Sequence, residues 1–101
     1  MSSFSTHVLD AARGVPATGV PVVLSRADGT VLASGRTDDD GRWRAPETAA
    51  LTAGELHRIT FEAPSPFFPE VSIAFRPERT DRHHHVPLLL SPYSYSTYLG
   101  S

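Results

Sequence analysis

Glycine and proline interrupt this sequence so often that little room is left for a long helix. Seven glycines and nine prolines are spread over 101 residues, and no segment keeps apolar residues at helical spacing. Between these interruptions lie short runs in which apolar and polar residues alternate, as in residues 20–25. Alternation at a period of two gives a strand one apolar face, so the sequence predicts an all-β sandwich of two sheets.

About eight strands are expected. An Asp-Gly pair at Asp28-Gly29 predicts a hairpin turn, and residues 38–41 predict a second turn. In the tail, residues 91–101, tyrosine alternates with serine and threonine, which indicates a packed strand running to the carboxyl terminus. The other predicted strands are residues 7–10, 20–25, 31–37, 42–44, 55–62, 70–75 and 83–90.

Length and composition narrow the functional classes. A chain of 101 residues predicts a single domain, residues 1–101. The net charge of −2 argues against nucleic acid as a partner, and the absence of cysteine excludes disulfides and thiolate metal sites. All nine basic residues are arginine, which excludes Schiff-base chemistry through lysine. The first residues lack the charge pattern of a secretory signal and the apolar run of a membrane span, so we expect a cytoplasmic protein.

Four stretches of the sequence, in this order, resemble the transthyretin-like family. They are Thr6-His7-Val8-Leu9-Asp10, residues 37–42, Phe68-Pro69-Glu70-Val71, and residues 83–101 with their His-His-His-Val-Pro start. The resemblance implies a two-sheet sandwich that assembles as a homotetramer, a dimer of dimers. Relatives place a short helix between their fifth and sixth strands. Here residues 63–68 contain two prolines, so that helix is expected to be shortened or absent.

The resemblance also implies an activity and a site. The family's enzymes hydrolyse 5-hydroxyisourate in urate degradation, opening its ring to 2-oxo-4-hydroxy-4-carboxy-5-ureidoimidazoline without a cofactor or a metal. Carried onto this chain, the family's tail motif Tyr-Arg-Gly-Ser reads Tyr-Leu-Gly-Ser, with Leu99 in place of arginine. The implied catalytic residues are His7, Arg42, His85 and Ser101, and the implied substrate-binding residues are Tyr98, Leu99 and Gly100.

These residue types suit hydrolysis by water. A neutral imidazole accepts a proton near pH 7, so His7 or His85 would deprotonate the water, directly or through the Ser101 hydroxyl. The guanidinium of Arg42 keeps its charge and offers several donors to a developing oxyanion. On a strand, His83 shares a face with His85, where a structural and a supporting role are equally open, and His84 is assigned to the surface or an interface.

Two alternatives stay open at this point. Leucine at the tail position favours a related enzyme with a different, more apolar cyclic substrate. A small-molecule carrier of the same fold, without catalysis, is the second alternative, and retention of His7, Arg42 and His85 argues against it. The three consecutive aspartates at 38–40 do not have the spacing of calcium ligands, so we interpret them as turn residues and predict no metal site.

Overall fold

The protein consists of two β-sheets with an apolar core between them. In this computed structural model, residues 3–100 are described. The strands are β1 (Ser3–Asp10), β2 (Val15–Pro16), β3 (Pro21–Arg26), β4 (Val31–Arg36), β5 (Arg42–Arg44), β6 (His57–Glu62), β7 (Glu70–Phe75), β8 (His83–His85), β9 (Leu88–Ser91) and β10 (Ser94–Thr97).

Strand β1 is the centre of the first, six-stranded sheet. Its first half pairs antiparallel with β5 on one side and parallel with β8 on the other. Its second half pairs antiparallel with β2 and parallel with β9, and β10 forms the edge beyond β9. The amino-terminal half of β1 is therefore flanked by two strands that the sequence predicted to carry catalytic residues.

The second sheet has the order β4-β3-β6-β7, and all its pairings are antiparallel. Alternate residues of both sheets point into the core, as the period of two predicted. The core includes Phe4 and Val8 of β1, Leu24 of β3 and Phe61 of β6, all fully buried. Burying one face of β1 in this way leaves its other residues on the opposite, outward face.

The predicted all-β sandwich is confirmed, and residues 3–100 contain no helix. The connection at 63–69, where relatives place one, is irregular. Ten strands occur where about eight were expected, because the short β2 was not predicted and because residues 83–90 divide into β8 and β9. Pro87 lies at the division and lacks the N–H that a continuous ladder needs. Within residues 3–100, no helix is long and apolar enough to cross a membrane.

The prediction for the tail was partly wrong. A strand forms there, but β10 ends at Thr97, and Gly100 makes one isolated bridge to His85. All four residues of β10 are exposed, so it is an edge strand without the packed faces that were expected. The tyrosines that suggested burial remain open to solvent, with Tyr95 42% and Tyr98 58% exposed.

Candidate active site

The candidate site lies on the outward face of the first sheet. Phe4, Thr6 and Val8 of β1 point into the core, so the residues between them point away from it. Ser5 and His7 consequently sit side by side on the outward face, each only partly buried. This face is open in the single chain and can receive a small molecule.

Strand register brings the neighbouring polar residues to the same face. On the β5 side, Arg42 lies opposite His7, and Arg44 lies opposite Ser5. On the β8 side, His85 lies opposite Ser5. Paired residues of adjacent strands project to the same side of a sheet. His7, Arg42 and His85 are distant in sequence and share this face because β1 is central.

The turn before β5 fixes the start of the Arg42 strand. The Asp38 carboxylate accepts backbone N–H bonds from Asp40 and Arg42, both at 2.9 Å. Gly41 has φ of 76°, and a Cβ there would lie 2.4 Å from the Val8 carbonyl oxygen. Only glycine fits that close approach, so the aspartates before it are turn residues, as their spacing indicated.

A groove of about 470 Å³ runs across this face. We call it the histidine groove, and it is lined by Ser5, Thr6, Asp38, Arg42, Trp43, Arg44, His83 and His85. Arg42 and Arg44 are exposed, and among residues 3–100 neither guanidinium has an ion-pair partner. Their donors are therefore free to bind carbonyl oxygens or an anion in the groove.

His85 is held by a hydrogen bond that leaves one ring nitrogen available. Its Nδ1 lies 2.8 Å from the Ser5 hydroxyl, and its Nε2 has no hydrogen-bond partner among residues 3–100. Burial lowers the pKa of His85, and the nearby charges of Arg42, His83 and His7 lower it further. The imidazole is therefore kept neutral at neutral pH, which is the form that accepts a proton.

His7 is arranged differently. Its Nε2 lies 2.8 Å from the Asp40 carbonyl oxygen, which can only accept, so Nε2 carries the hydrogen. Nδ1 is then the basic nitrogen of His7. His7 is not part of the groove lining, but it is close enough to His85 for its charge to affect that residue's pKa.

Gly100 brings the tail against His85. Its N–H donates to the His85 carbonyl oxygen at 2.7 Å. A Cβ at Gly100 would lie 2.7 Å from Cδ2 of the His85 ring, so the contact requires glycine. The predicted catalytic Ser101 lies outside the described residues.

Tyr98 and Leu99 occupy a different part of the molecule. They line a cavity of about 420 Å³, here called the tail cavity, together with Ile73, Phe75, His84 and Val86. His84 was assigned to the surface or an interface, and its 5% exposure shows that the surface assignment was wrong: it points inward from β8 while its two neighbours point outward. In the single chain, neither Tyr98 nor Leu99 joins Arg42 and His85 in lining the histidine groove.

Sequence reasoning did not find two serines that bind histidines of the groove. Ser3 and Ser5 hydrogen-bond to His83, and Ser5 also to His85. Serine is too common for its type to be a signal. The available signal was the spacing of two between Ser3, Ser5 and His7, but the predicted strand covered only residues 7–10, whereas β1 begins at Ser3. Within residues 3–100, no cluster of three or more histidine, aspartate or glutamate side chains could hold a metal ion.

The sequence is similar to known enzymes over its full length. Residues 4–100 match the profile of the HIUase/Transthyretin family. A 5-hydroxyisourate hydrolase of Caulobacter vibrioides is 44% identical over 116 residues, an alignment that covers 100% of both chains.

Solved structures show the same fold. The 5-hydroxyisourate hydrolase of Klebsiella pneumoniae superposes with a TM-score of 0.85 at 37% identity, covering 100% of both chains. A sea bream transthyretin, solved in complex with thyroxine, has a TM-score of 0.78 at 28% identity, covering 96% of this chain and 93% of that one. The chain is thus similar both to enzymes and to a small-molecule binding protein.

Proposed function

Because this chain belongs to the HIUase/Transthyretin family, we propose that it is a hydrolase that opens the ring of 5-hydroxyisourate in urate degradation. Full-length similarity to hydrolases of that name supports the proposal. The observation that carries it is the meeting of His7, Arg42 and His85 on one outward face. That face offers a neutral base and a guanidinium that forms no ion pair within residues 3–100, which are the groups that hydrolysis of a cyclic amide needs.

In the proposed reaction, water attacks a ring carbonyl carbon. A proton of the water passes to Nε2 of His85 or to Nδ1 of His7, and the carbonyl becomes an oxyanion that Arg42 stabilises. The carbon–nitrogen bond then breaks, the carbonyl re-forms as a carboxyl group, and the ring nitrogen takes back the proton. The protein supplies only proton transfer and charge stabilisation, so the reaction needs no cofactor.

We propose catalytic roles for His7, Arg42, His85 and Ser101. Gly100 supports this set through its contact with the His85 ring. For Tyr98 and Leu99, contact with substrate requires a neighbouring chain to bring its tail to the groove, because in a single chain they line the tail cavity. Their substrate-binding role therefore depends on assembly.

The proposed assembly is a homotetramer, a dimer of dimers. Among the described residues, β10 is an exposed edge strand whose outer backbone groups a second copy can bind, and Tyr95 within it and Tyr93 just before it are exposed. The open histidine groove would then face another chain. Sedimentation velocity at micromolar concentration should give the mass of a tetramer, and a stable monomer would contradict the shared site.

Two alternatives are less well supported. A carrier needs no base, yet His85 places an available ring nitrogen in the same groove as the Arg42 guanidinium. A more apolar substrate was suggested by Leu99, whose side chain lines the other cavity. A cytoplasmic location also stays a prediction, which cell fractionation with an antibody to the chain would check.

The test of the proposed function is the decay of freshly prepared 5-hydroxyisourate, followed by ultraviolet absorbance. The protein should accelerate the decay well beyond the spontaneous rate. His85→Gln keeps the size and hydrogen bonding of the side chain but removes its basicity, so it should lower kcat by about 10²-fold or more. An unaccelerated decay in the presence of folded protein would contradict the proposal, and thyroxine binding without turnover would favour a carrier.

A further inference from the structure

An unbroken chain of side-chain hydrogen bonds leads from His85 to the far end of β8. His85 Nδ1 is 2.8 Å from the Ser5 hydroxyl oxygen, and that oxygen is 2.6 Å from Nε2 of His83. Nδ1 of His83 is in turn 2.5 Å from the Ser3 hydroxyl oxygen. The chain follows from the parallel register in which Ser3 lies opposite His83 and Ser5 lies opposite His85.

His83 and His85 differ in whether a ring nitrogen is free to contact a substrate. Both ring nitrogens of His83 bind serine hydroxyls, so His83 has no free nitrogen for a substrate. His85 binds Ser5 through Nδ1 only, and its Nε2 is without a partner within residues 3–100. His83 can therefore act on the reaction only through Ser5 and His85.

Counting protons restricts the arrangement of the chain. The Ser5 hydroxyl has one hydrogen, so it donates to one histidine and accepts from the other. If it donates to Nε2 of His83, it accepts from Nδ1–H of His85, and Nε2 of His85 is bare and basic. The reversed hydroxyl would place a hydrogen on Nε2 of His85 instead.

We propose that Ser5 and His83 are positioning residues for His85, and that they form a relay which takes up the positive charge that His85 acquires. This inference rests on the proposed function and takes His85 as the base. When Nε2 of His85 receives a proton from water, its Nδ1 proton moves to the Ser5 oxygen, and the Ser5 hydroxyl proton moves to Nε2 of His83. His85 becomes neutral again with its hydrogen on Nε2, and His83 becomes the imidazolium.

The relay also returns the proton. Movement in the opposite direction restores the charge to His85, whose Nε2–H then protonates the departing ring nitrogen. Every proton taken from water ends on the product, and no bond other than O–H and N–H changes in the relay. The Ser3 hydroxyl accepts the Nδ1–H bond of His83 throughout the cycle.

Similar surroundings make the two histidines suitable for sharing a charge. Burial lowers the pKa of both imidazoles, and each faces one arginine of β5, Arg42 for His85 and Arg44 for His83. His7 of β1 also faces His85, and the Asp38 carboxylate lines the same groove. Shifts in this direction keep both rings neutral at rest, so each of them is able to accept a proton.

The experiment compares Ser5→Ala, Ser5→Thr and His83→Gln with the parent chain. Histidine tautomers are read by nitrogen-15 NMR of the protein alone, and kcat and KM for 5-hydroxyisourate are measured from pH 5 to 9. The matched control is Ser72→Ala, which removes a hydroxyl bonded to Thr60 at 3.1 Å on the other sheet. It should leave both readouts unchanged.

Three results are expected. Ser5→Ala should turn the single Nδ1–H tautomer of His85 into a mixture, lower kcat about tenfold or more with KM changed less than about twofold, and shift the pH profile. Ser5→Thr, which keeps the hydroxyl, should restore most of the rate. His83→Gln should keep the His85 tautomer and still lower kcat, because an amide can hold Ser5 but cannot accept a proton.

The readouts separate failure of the relay from failure of the proposed function. If the parent chain hydrolyses 5-hydroxyisourate and His83→Gln has the parent kcat and pH profile, the relay is wrong. If Ser5→Ala leaves the His85 tautomer unchanged, the positioning role is wrong, whatever the substrate. A tautomer that depends on Ser5 in a protein without this hydrolase activity would support the positioning role and overturn the substrate.

Discussion

The two faces of β8 carry the same residue type into opposite surroundings. His83 and His85 face the histidine groove, where serine hydroxyls bind them and where Arg42 and Arg44 also lie. His84 faces the tail cavity, among Ile73, Phe75 and Val86, and its Nδ1 has no hydrogen-bond partner in the described part of the chain. Alternation along a strand is therefore enough to give one histidine run a hydrated, polar side and a buried, largely apolar side.

The comparison shows why residue type alone does not identify a base. Burial lowers the pKa of all three histidines, so the three rings share a tendency to be neutral. They differ in access and in partners: His85 has an available nitrogen in an open groove, His83 has none, and His84 is 5% exposed. His85 is the candidate base because its ring is neutral and one of its nitrogens is accessible from the groove.

The strongest test of the histidine groove is removal of the Arg42 guanidinium. Arg42→Ala should lower kcat/KM for 5-hydroxyisourate by about 10²-fold, because the guanidinium would stabilise the oxyanion and has no other partner to lose. Steady-state absorbance kinetics measure it. Arg58→Ala, an exposed arginine of β6 on the other sheet, is the matched control and should change the rate less than about twofold. Equal effects of the two substitutions would contradict a specific role for Arg42.

A smaller loss should follow from disturbing the contact between the tail and His85. The backbone at Gly100 does not have positive φ, so alanine is sterically allowed there except for the 2.7 Å approach of its Cβ to the His85 ring. Gly100→Ala should displace the ring and lower kcat about tenfold, while the thermal unfolding midpoint changes little. An unchanged kcat would show that the ring position tolerates movement at this contact.

Because His84 lies on the buried face of β8, its substitution should affect activity little. His84→Leu should keep kcat within about twofold of the parent value, because the ring does not reach the groove. At pH 7.5 the free energy of unfolding should change by less than about 1 kcal/mol, since leucine fills the buried position and removes a nitrogen that has no hydrogen-bond partner within residues 3–100. Urea unfolding and the absorbance assay measure the two quantities.

The same variant should weaken the dependence of stability on pH. The folded-state pKa of His84 lies below the ordinary value of 6.5, mainly through burial. As pH falls through 6.5, the unfolded chain binds protons that the folded chain does not, so stability is lost toward acid. His83 and His85 contribute in the same direction, and His84→Leu removes one of the three contributions. Equal urea midpoint shifts between pH 7.5 and 5.5 in both chains would contradict this account.

The sequence predicted those features that depend on local periodicity. Alternation placed residues 57, 59 and 61 on one buried face, and the Asp-Gly turns formed where they were expected. Resemblance supplied His7, Arg42 and His85, and strand register brings them to one face. Ser5 was not selected, because its spacing from His7 is only a weak signal and its role depends on lying opposite His85, which is 80 residues away in sequence. The exposure of β10 depends on sheet order, and a local pattern does not encode that order.

Substitution of Leu99 should change kcat/KM least. It tests whether the histidine groove and the tail cavity remain separate sites in the assembled protein. Leu99 is 60% exposed at the tail cavity, beside Arg76, Arg79 and Arg82. If no neighbouring chain brings its tail to the histidine groove, Leu99→Arg adds a screened charge at the tail cavity and should change kcat/KM less than about twofold. Val31→Arg, on β4 at 58% exposure, is the matched control. A rise of about tenfold or more in Leu99→Arg alone would mean that a neighbouring chain's tail enters the histidine groove and that arginine adds an oxyanion donor there. An equally large fall would mean that the tail enters the groove but that the substrate needs an apolar contact at this position.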